Sequence, residues 1–183
     1  MHQGAGPSTW VERFASMVPG GAPVLDLACG SGRHTRLFAA AGHPVTAVDI
    51  DVSGLGDLAG NRGVQRVEAD LEGSDPFSVL GPLHGRTFGG VVVTNYLHRP
   101  LLEGLVAAVA PGGVLIYETF AEGNERLGGR PTNPDFLLRH GELLALARGR
   151  LQVVAYEDVV VGDPQPAAIQ RICAMRAEPL RTR

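Results

Sequence analysis

The sequence predicts an α/β fold in which a mostly parallel sheet is covered by helices on both faces and ends in an antiparallel hairpin. Short apolar segments typical of strands alternate with helical patterns through the first two thirds of the chain. One of these segments, residues 90–94, is apolar throughout, as a parallel strand covered on both faces must be. Residues 151–161 and 167–176 are β-rich and too close in sequence for a parallel crossover, so we expect them to pair antiparallel.

The first two helices are predicted from their end signals. Thr9 is expected to be an N-cap, with Glu12 completing a capping box, and residues 19–21 (PGG) end this helix. A second helix spans about residues 33–41 and stops at Gly42. Three side chains of that helix are expected to be buried: Leu37, Phe38 and Ala41.

The other elements follow from shorter patterns. Besides the strand that leads into Asp26, three further segments are expected to be parallel strands: residues 45–49, 64–71 and 114–119. Short helices are expected over residues 52–60 and from Pro100 onward. Asn133 is expected to begin a last helix, which Gly141 kinks or divides, and residues 163–166 form the hairpin turn.

Length and composition narrow the class of protein. The 183 residues support a single domain, residues 1–183, with a substantial core. No apolar run approaches the roughly 20 residues of a membrane span, and the N-terminus lacks the pattern of a signal peptide. We therefore expect a cytoplasmic protein without a membrane partner.

Charge and metal-ligand patterns exclude further classes. All 16 basic residues are arginine, so Schiff-base chemistry on lysine is excluded. The net charge is −3 and the arginines are scattered, whereas nucleic-acid binders carry a basic face, so no nucleic-acid partner is expected. The two cysteines give neither a disulfide framework nor a metal cluster. Four histidines share no metal-ligand spacing, so no metal site is predicted: His2, His43, His84 and His140.

A glycine turn and three strand-end acids predict a nucleotide site. Residues 24–33 read VLDLACGSGR, an apolar strand followed by an acid, two glycines and a helix whose free N–H groups can meet a ligand. Asp49 and Asp70 likewise end the next two strands, and an acid after the second strand is where a ribose diol is bound. Thr35 stands where an NAD fingerprint has its third glycine or alanine, so a dinucleotide is disfavoured.

This arrangement resembles the S-adenosylmethionine-dependent methyltransferases of the Rossmann-like type over nearly the whole chain. The segments that carry the resemblance are residues 25–32 (LDLACGSG), 48–49 (VD) and 69–71 (ADL). An arginine directly after the glycines, here Arg33, resembles the pattern of the tellurite-resistance-type small-molecule subgroup. That subgroup is the nearest relative that the sequence suggests. The resemblance implies a three-layer α/β sandwich with a seven-stranded, mostly parallel sheet and a C-terminal antiparallel hairpin.

The resemblance also implies roles for the residues that match its motifs. The glycine turn would hold the methionine part of S-adenosylmethionine, and Asp49 would bind the ribose hydroxyls. Ile50 would pack on adenine, while Asp70 would accept a hydrogen bond from the adenine amino group beside the Leu71 amide. The expected cofactor-binding residues are Asp26, Gly30, Gly32, Arg33, Asp49, Ile50, Asp70, Leu71 and Asn95.

Residues that act on the acceptor are expected after the fourth strand, where residues 94–99 read TNYLHR. His98 is the candidate general base, because imidazole can be neutral near pH 7; the alternative is a hydrogen-bonded histidine that shapes the pocket. Tyr96 either lines the reacting groups or packs, and Asn95 is expected to contact the cofactor's amino group. Enzymes that methylate amino groups of DNA and of some proteins have an Asn/Asp-Pro-Pro-Tyr motif at this position, and this segment lacks its prolines. Planar exocyclic amines are therefore disfavoured as acceptors.

The predicted function is methyl transfer from S-adenosylmethionine to a small-molecule acceptor by in-line displacement, with S-adenosylhomocysteine as product. Arg126 and Arg130, in the polar loop after the fifth strand, would clamp an anionic substrate; the alternative is that they are solvated surface arginines. The alternative function is a non-catalytic S-adenosylmethionine-binding regulatory or scaffold subunit. No oligomeric state is predicted.

Overall fold

The computed structural model describes residues 6–162 and 165–178. Its seven strands are β1 (Val24–Leu27), β2 (Val45–Asp49), β3 (Val64–Glu68), β4 (Phe88–Thr94), β5 (Val109–Phe120), β6 (Gln152–Val161) and β7 (Ala167–Met175). They form one sheet in the order β3-β2-β1-β4-β5-β7-β6. Strands β1 to β5 pair in parallel, whereas β7 runs antiparallel to both β5 and β6. The predicted fold class is therefore confirmed.

Helices flank this sheet. The α-helices of the described residues are α1 (Thr9–Phe14), α2 (Arg33–Ala40), α3 (Leu102–Ala107) and α4 (Glu142–Ala147). In the described part of the chain, no helix has both the length and the apolar character that a membrane span requires.

Alternate residues of the central strands enter two separate hydrophobic cores. In β4, Val91 and Val93 belong to one core and Val92 to the other. In β5, Leu115 and Ile116 divide in the same way. Because both faces of these strands are covered, their sequences read as continuous apolar runs.

The strand order places a ligand crevice next to β1. This strand pairs with β2 on one side and with β4 on the other, so the chain winds outward in both directions from this point. In open α/β sheets, ligands bind beyond the carboxyl ends of the strands at such a switch point. The segments that follow β1 to β5 all leave the sheet at this edge.

The N-cap of α1 was predicted one residue too late. Ser8 has the non-helical conformation of a cap, and its Oγ accepts hydrogen bonds from Trp10 N at 3.1 Å and Val11 N at 3.5 Å. Thr9 is the first helical residue instead of the cap. Serine and threonine are both good N-caps, so local sequence alone did not separate these neighbours.

Two other predictions about helices need correction. On α2, Phe38 is buried and Leu37 half-buried, but Ala41 is exposed, and the buried polar residues His34 and Thr35 were not predicted. After Asn133 the chain forms a single 3₁₀ turn, Pro134–Phe136, and Gly141 separates it from α4. In the predicted hairpin turn, residues 163–164 lie outside the described residues.

Candidate active site

A sharp glycine turn joins β1 to α2 at the carboxyl edge of the sheet. Gly30 and Gly32 have φ angles of 53° and 78°, in the left-handed region that glycine adopts without strain. A Cβ on Gly32 would overlap the buried Leu55 side chain, whereas a Cβ on Gly30 would meet no atom within 4 Å. The backbone at Gly30 is therefore open to a ligand, while Gly32 allows close packing underneath.

The acids that follow β2 and β3 line a cavity of about 510 Å³ beside this turn, which we call the edge cavity. Asp49 Oδ2 accepts a hydrogen bond from Gly30 N at 2.7 Å, so its carboxylate is fixed to the glycine turn. A carboxylate has about four lone-pair sites, so Asp49 can also accept hydrogen bonds from a ligand. The other lining residues are Ala28, Ile50, Asp70, Leu71, Glu72 and Tyr96.

Asp70 and Ile50 give the edge cavity a polar and an apolar wall. Asp70 Oδ1 accepts hydrogen bonds from Glu72 N and Gly73 N, both at 3.0 Å, which leaves Oδ2 for a ligand. Ile50 is 66% exposed and lines the same cavity, so its apolar surface is open to a ligand. Carboxylates can accept hydrogen bonds from the hydroxyls of a nucleoside. The apolar surface suits its flat base.

Asp26 serves a different purpose from the other strand-end acids. It is buried, and Thr35 Oγ1 donates a hydrogen bond to its Oδ2 at 2.6 Å. Burial raises its pKa from 3.8 to about 6. Asp26 is not among the residues that line the edge cavity, and neither is Arg33, whose Nη1 donates to Gly6 O at 3.3 Å.

The segment after β4 brings Asn95 and Tyr96 to the cavities. Asn95 has a φ of 55°, and its N–H donates to Glu118 O at 2.9 Å. The hydroxyl of Tyr96 is buried without a hydrogen-bond partner among the described residues. Burial, and then the nearby charges of Glu72, Asp70 and Asp49, raise the Tyr96 pKa to about 12, so the phenol stays protonated at neutral pH.

His98 lies at the start of the connection between β4 and α3. It is half-buried, and it precedes a 3₁₀ turn in which its carbonyl accepts a hydrogen bond from Leu101 N at 3.0 Å. The side chain does not line the edge cavity or either of the two cavities described next. Its role as a base stays a prediction.

Two further cavities lie near the edge cavity. A middle cavity of about 230 Å³ shares Glu72 and Tyr96 with the edge cavity. A large cavity of about 740 Å³ shares Asn95 and Phe120 with the middle cavity. The three cavities therefore adjoin in the order edge, middle, large.

Glu118, at the end of β5, is a fixed charge in the wall of the large cavity. Its Oε1 accepts a hydrogen bond from Ser8 Oγ at 2.7 Å, and its Oε2 lies 3.2 Å from Arg171 Nη1. Arg171 also donates to Glu157 at 2.8 Å, and its guanidinium lies 4.7 Å from the Trp10 ring. Each of these groups restrains the next, so the charges are held in place.

The N-cap and the first residue of α1 form part of the wall of the large cavity. Ser8 and Thr9 line it, and Ser8 N donates to His34 Nε2 at 3.0 Å. An imidazole nitrogen accepts such a bond only when it is unprotonated. Burial lowers the His34 pKa from 6.5 to about 4, so the histidine is neutral under ordinary conditions.

The structure separates the two loop arginines that the sequence grouped as a clamp. Arg130 lines the large cavity, as does Arg33. Arg126 lines none of the three cavities, and its side chain is 85% exposed beside Glu125. The sequence suggested none of the roles of Ser8, Phe136 and Arg171, because these residues reach the cavities only through tertiary packing.

Comparison with protein families decides the class of this chain. A family described as a methyltransferase domain matches residues 25–117, just over half of the 183 residues. The chain belongs to the methyltransferase-domain family. This membership confirms the predicted class, the S-adenosylmethionine-dependent methyltransferases, and the match begins at the first strand with its glycine turn.

Solved structures share the fold of this methyltransferase domain. TehB from Haemophilus influenzae has a TM-score of 0.74 at 15% identity, with 96% of this chain and 64% of TehB covered. The chain therefore spans less than two thirds of TehB. A 1,6-didemethyltoxoflavin-N1-methyltransferase from Burkholderia thailandensis, solved with S-adenosylhomocysteine, has a TM-score of 0.67 at 22% identity, with 92% and 77% covered.

A third similar structure is the glycopeptide N-methyltransferase MtfA complexed with S-adenosylhomocysteine. It has a TM-score of 0.60 at 22% identity, with 94% of this chain and 90% of MtfA covered. A comparison with curated protein sequences finds no match.

Proposed function

We propose that this protein transfers a methyl group from S-adenosylmethionine to a small-molecule acceptor, and that residues 1–183 form one domain for this purpose. One observation carries the proposal. The edge cavity, whose lining suits a nucleoside, adjoins the middle cavity at Tyr96, and the middle cavity adjoins the large cavity at Asn95 and Phe120. A donor and an acceptor can therefore bind side by side.

The residues of the edge cavity suit the adenosine part of the cofactor. Asp49 accepts hydrogen bonds from the ribose hydroxyls, and the Gly30 N–H fixes its orientation. Ile50 packs on the base, while Asp70 and the Leu71 amide meet its hydrogen-bonding edge. This pattern favours S-adenosylmethionine, and the structure of MtfA with S-adenosylhomocysteine supports the same choice.

The methionine part lies over the glycine turn. Gly30, Gly32 and Arg33 follow β1, and Asn95 follows β4, the strand that pairs with β1. Arg33 is suited to the cofactor's carboxylate because a guanidinium binds carboxylates through two parallel hydrogen bonds. Asp26 is buried beneath the glycine turn and supports it. The hydrogen bond that it accepts from Thr35 joins the end of β1 to the first turn of α2.

The chain promotes the reaction mainly by alignment. Bound S-adenosylmethionine supplies an electrophilic methyl group, whose bond to sulfur breaks as the acceptor's lone pair forms the new bond. Holding the two reactants in line lowers the barrier without a protein nucleophile. Tyr96, which lines both the edge and the middle cavities, stays protonated at neutral pH, so it forms part of their wall and does not act as a base.

His98 is retained as a proposed base only for acceptors that must lose a proton. An acceptor that arrives ionised needs no base, and alignment alone then suffices. The position of His98 outside the three cavity linings favours the second case.

The volumes of the cavities favour a small acceptor. Pockets for small molecules usually measure roughly 300–1,000 Å³, and the large cavity has about 740 Å³. Buried free cysteines, Cys29 and Cys173, suit a reducing compartment, so we propose that the protein acts in the cytoplasm.

Turnover separates this enzyme from a non-catalytic cofactor-binding subunit. The purified protein would be incubated with S-adenosylmethionine and a panel of thiol, oxyanion, carboxylate and phenol acceptors, with S-adenosylhomocysteine as the readout. We expect at least one acceptor to raise product formation above the acceptor-free rate. Tight cofactor binding with no acceptor-dependent product would support the binding subunit instead.

A further inference from the structure

The middle cavity is an aromatic slot. Five of its eight lining residues are aromatic or apolar: Tyr96, Phe120, Phe136, Leu97 and Pro131. The other three are Glu72, Asn95 and Thr119, and the Glu72 carboxylate lies at the border with the edge cavity, so an acidic group of the ligand is favoured at the opposite end. The slot's volume of about 230 Å³ falls below the roughly 300–1,000 Å³ of a complete small-molecule pocket. It therefore suits one apolar part of a ligand whose remainder extends into a neighbouring cavity.

The position of the slot decides which part of the acceptor it holds. The slot shares Tyr96 with the edge cavity, where the cofactor is proposed to bind, and Phe120 with the large cavity. A group in the slot is thus next to the methyl donor. The rest of the acceptor then extends toward the large cavity, because the edge cavity holds the adenosine part of the cofactor. The methionine part of the cofactor shares the large cavity with the acceptor at Arg33 and Asn95.

The charges of the large cavity favour an anion at that far end. Its lining contains three arginines and one acid; Arg171 and Glu118 form an ion pair at 3.2 Å. Arg33 and Arg130 remain, with no carboxylate of the described residues within 4.0 Å of either. Since Arg33 follows the glycine turn and is assigned to the cofactor, Arg130 is the cation that faces the acceptor.

We propose that the acceptor is an aromatic acid whose ring occupies the middle cavity and whose acidic group pairs with Arg130 in the large cavity. This inference rests on the proposed function and adds the acceptor class to it. Flat rings pack well against aromatic walls, and an arginine side chain recognises a carboxylate through two hydrogen bonds. Neither an inorganic oxyanion nor a neutral aliphatic molecule would use both features.

Calorimetric titration of the protein saturated with S-adenosylhomocysteine tests this pairing without any turnover. Three probes isolate the features: 2-naphthoate has ring and acid, 2-naphthylmethanol has the ring alone, and acetate has the acid alone. We expect 2-naphthoate to bind at least about tenfold more tightly than either of the others. Equal affinity for 2-naphthoate and acetate would show that the middle cavity does not bind the ring. Equal affinity for the two naphthyl probes would show that Arg130 does not pair with the acid.

Matched variants assign the effect to these residues. Arg130→Gln should weaken 2-naphthoate about tenfold and leave 2-naphthylmethanol unchanged, whereas Arg126→Gln, in the same loop but outside the cavities, should change neither. Phe136→Ala should weaken both naphthyl probes about fivefold or more, whereas Leu144→Ala, of similar exposure on α4, should not. Phe136 and Leu144 are 41% and 37% exposed, so neither change opens the core.

The same titrations keep two possible failures apart. Saturation with S-adenosylhomocysteine is measured first, and its absence would overturn the proposed function. Normal saturation without preferential binding of 2-naphthoate would overturn only the aromatic-acid acceptor.

Discussion

Tyr96 and His98 are two residues apart, yet they meet different surroundings. Tyr96 lines both the edge and the middle cavities, with its hydroxyl buried. His98 directly precedes the 3₁₀ turn that leads into α3 and lines none of the three cavities. At the scale of single residues, nearness in sequence therefore did not place both side chains in the cavity linings.

Replacement of His98 tests its role. If His98 is a general base, its replacement by alanine should lower turnover by roughly 10²–10⁴-fold. Because His98 lies outside the cavity linings, we expect His98→Ala to lower turnover less than about tenfold. His98→Asn, which can replace a hydrogen bond but not accept the proton, is the control. A loss of turnover of about 10²-fold or more in both variants would show that His98 is the general base.

The strand-end acids were predictable residue by residue, whereas the Glu118 cluster was not. Asp49 and Asp70 are marked in the sequence by the apolar strands that precede them. The pair of Glu118 and Arg171 depends on the register of β5 against β7, in which these two residues stand directly opposite each other. A sequence pattern can indicate that two strands pair antiparallel, but it does not set which residues face each other unless a tight turn fixes the register.

At the scale of elements, Arg99 joins the 3₁₀ turn before α3 to the segment before α4. It forms two hydrogen bonds with Glu142, at 2.8 and 2.9 Å, and donates to the carbonyls of Asp135 and Leu137, both at 2.8 Å. These bonds fix the chain next to Phe136, which walls the middle cavity. The hydrogen bonds to Glu142 lower its pKa even though burial opposes this.

Arg99→Gln tests this connection. The variant leaves the Glu142 carboxylate, half-buried, with the backbone N–H of Arg139 as its remaining partner. We expect the free energy of unfolding to fall by about 1.5–3 kcal/mol at pH 7 in urea denaturation. Arg148→Gln, at an exposed site, should stay within about 0.5 kcal/mol of the parent protein. Equal stability of both variants would mean that Arg99 does not secure this segment.

Elements with strong patterns were predicted well, and those with ambiguous end signals were not. The apolar strands and the stop of α2 at Gly42 agree with the structure, because burial on both faces and a left-handed glycine leave clear signals. The segment after Asn133 has a good helix start, but tertiary contacts, including those of Arg99, hold it in a single 3₁₀ turn. Intrinsic helix preference is too weak to resist such contacts.

At the scale of the whole molecule, two buried groups give the stability opposite dependences on pH. His34 has a folded-state pKa near 4 against 6.5, so the folded protein binds fewer protons and loses stability as pH falls from 6.5 to 4. Asp26 has a folded-state pKa near 6 against 3.8, so the folded protein binds more protons and gains stability as pH falls from 6 to 3.8. The two effects largely cancel in the parent protein.

Replacing either side chain should expose the pH dependence of stability that the other one contributes. Between pH 7 and pH 4, Asp26→Asn should lose about 2–3 kcal/mol more unfolding free energy than the parent protein, and His34→Gln should lose about 2–3 kcal/mol less. Urea denaturation at both pH values measures these differences. Parallel pH profiles for all three proteins would show that the two pKa shifts do not affect folding.

The central claim is that the glycine turn and the strand-end acids form a site for S-adenosylmethionine and not for a dinucleotide. Calorimetric titration with S-adenosylhomocysteine and with NAD tests it most directly, on the parent protein and on Asp49→Ala, with Asp49→Asn as a control that can still accept the hydrogen bond from Gly30. We expect S-adenosylhomocysteine to bind the parent at least about tenfold more tightly than NAD, and Asp49→Ala to lose at least about tenfold in affinity for it. Tighter binding of NAD, or an unchanged dissociation constant in Asp49→Ala, would contradict the account.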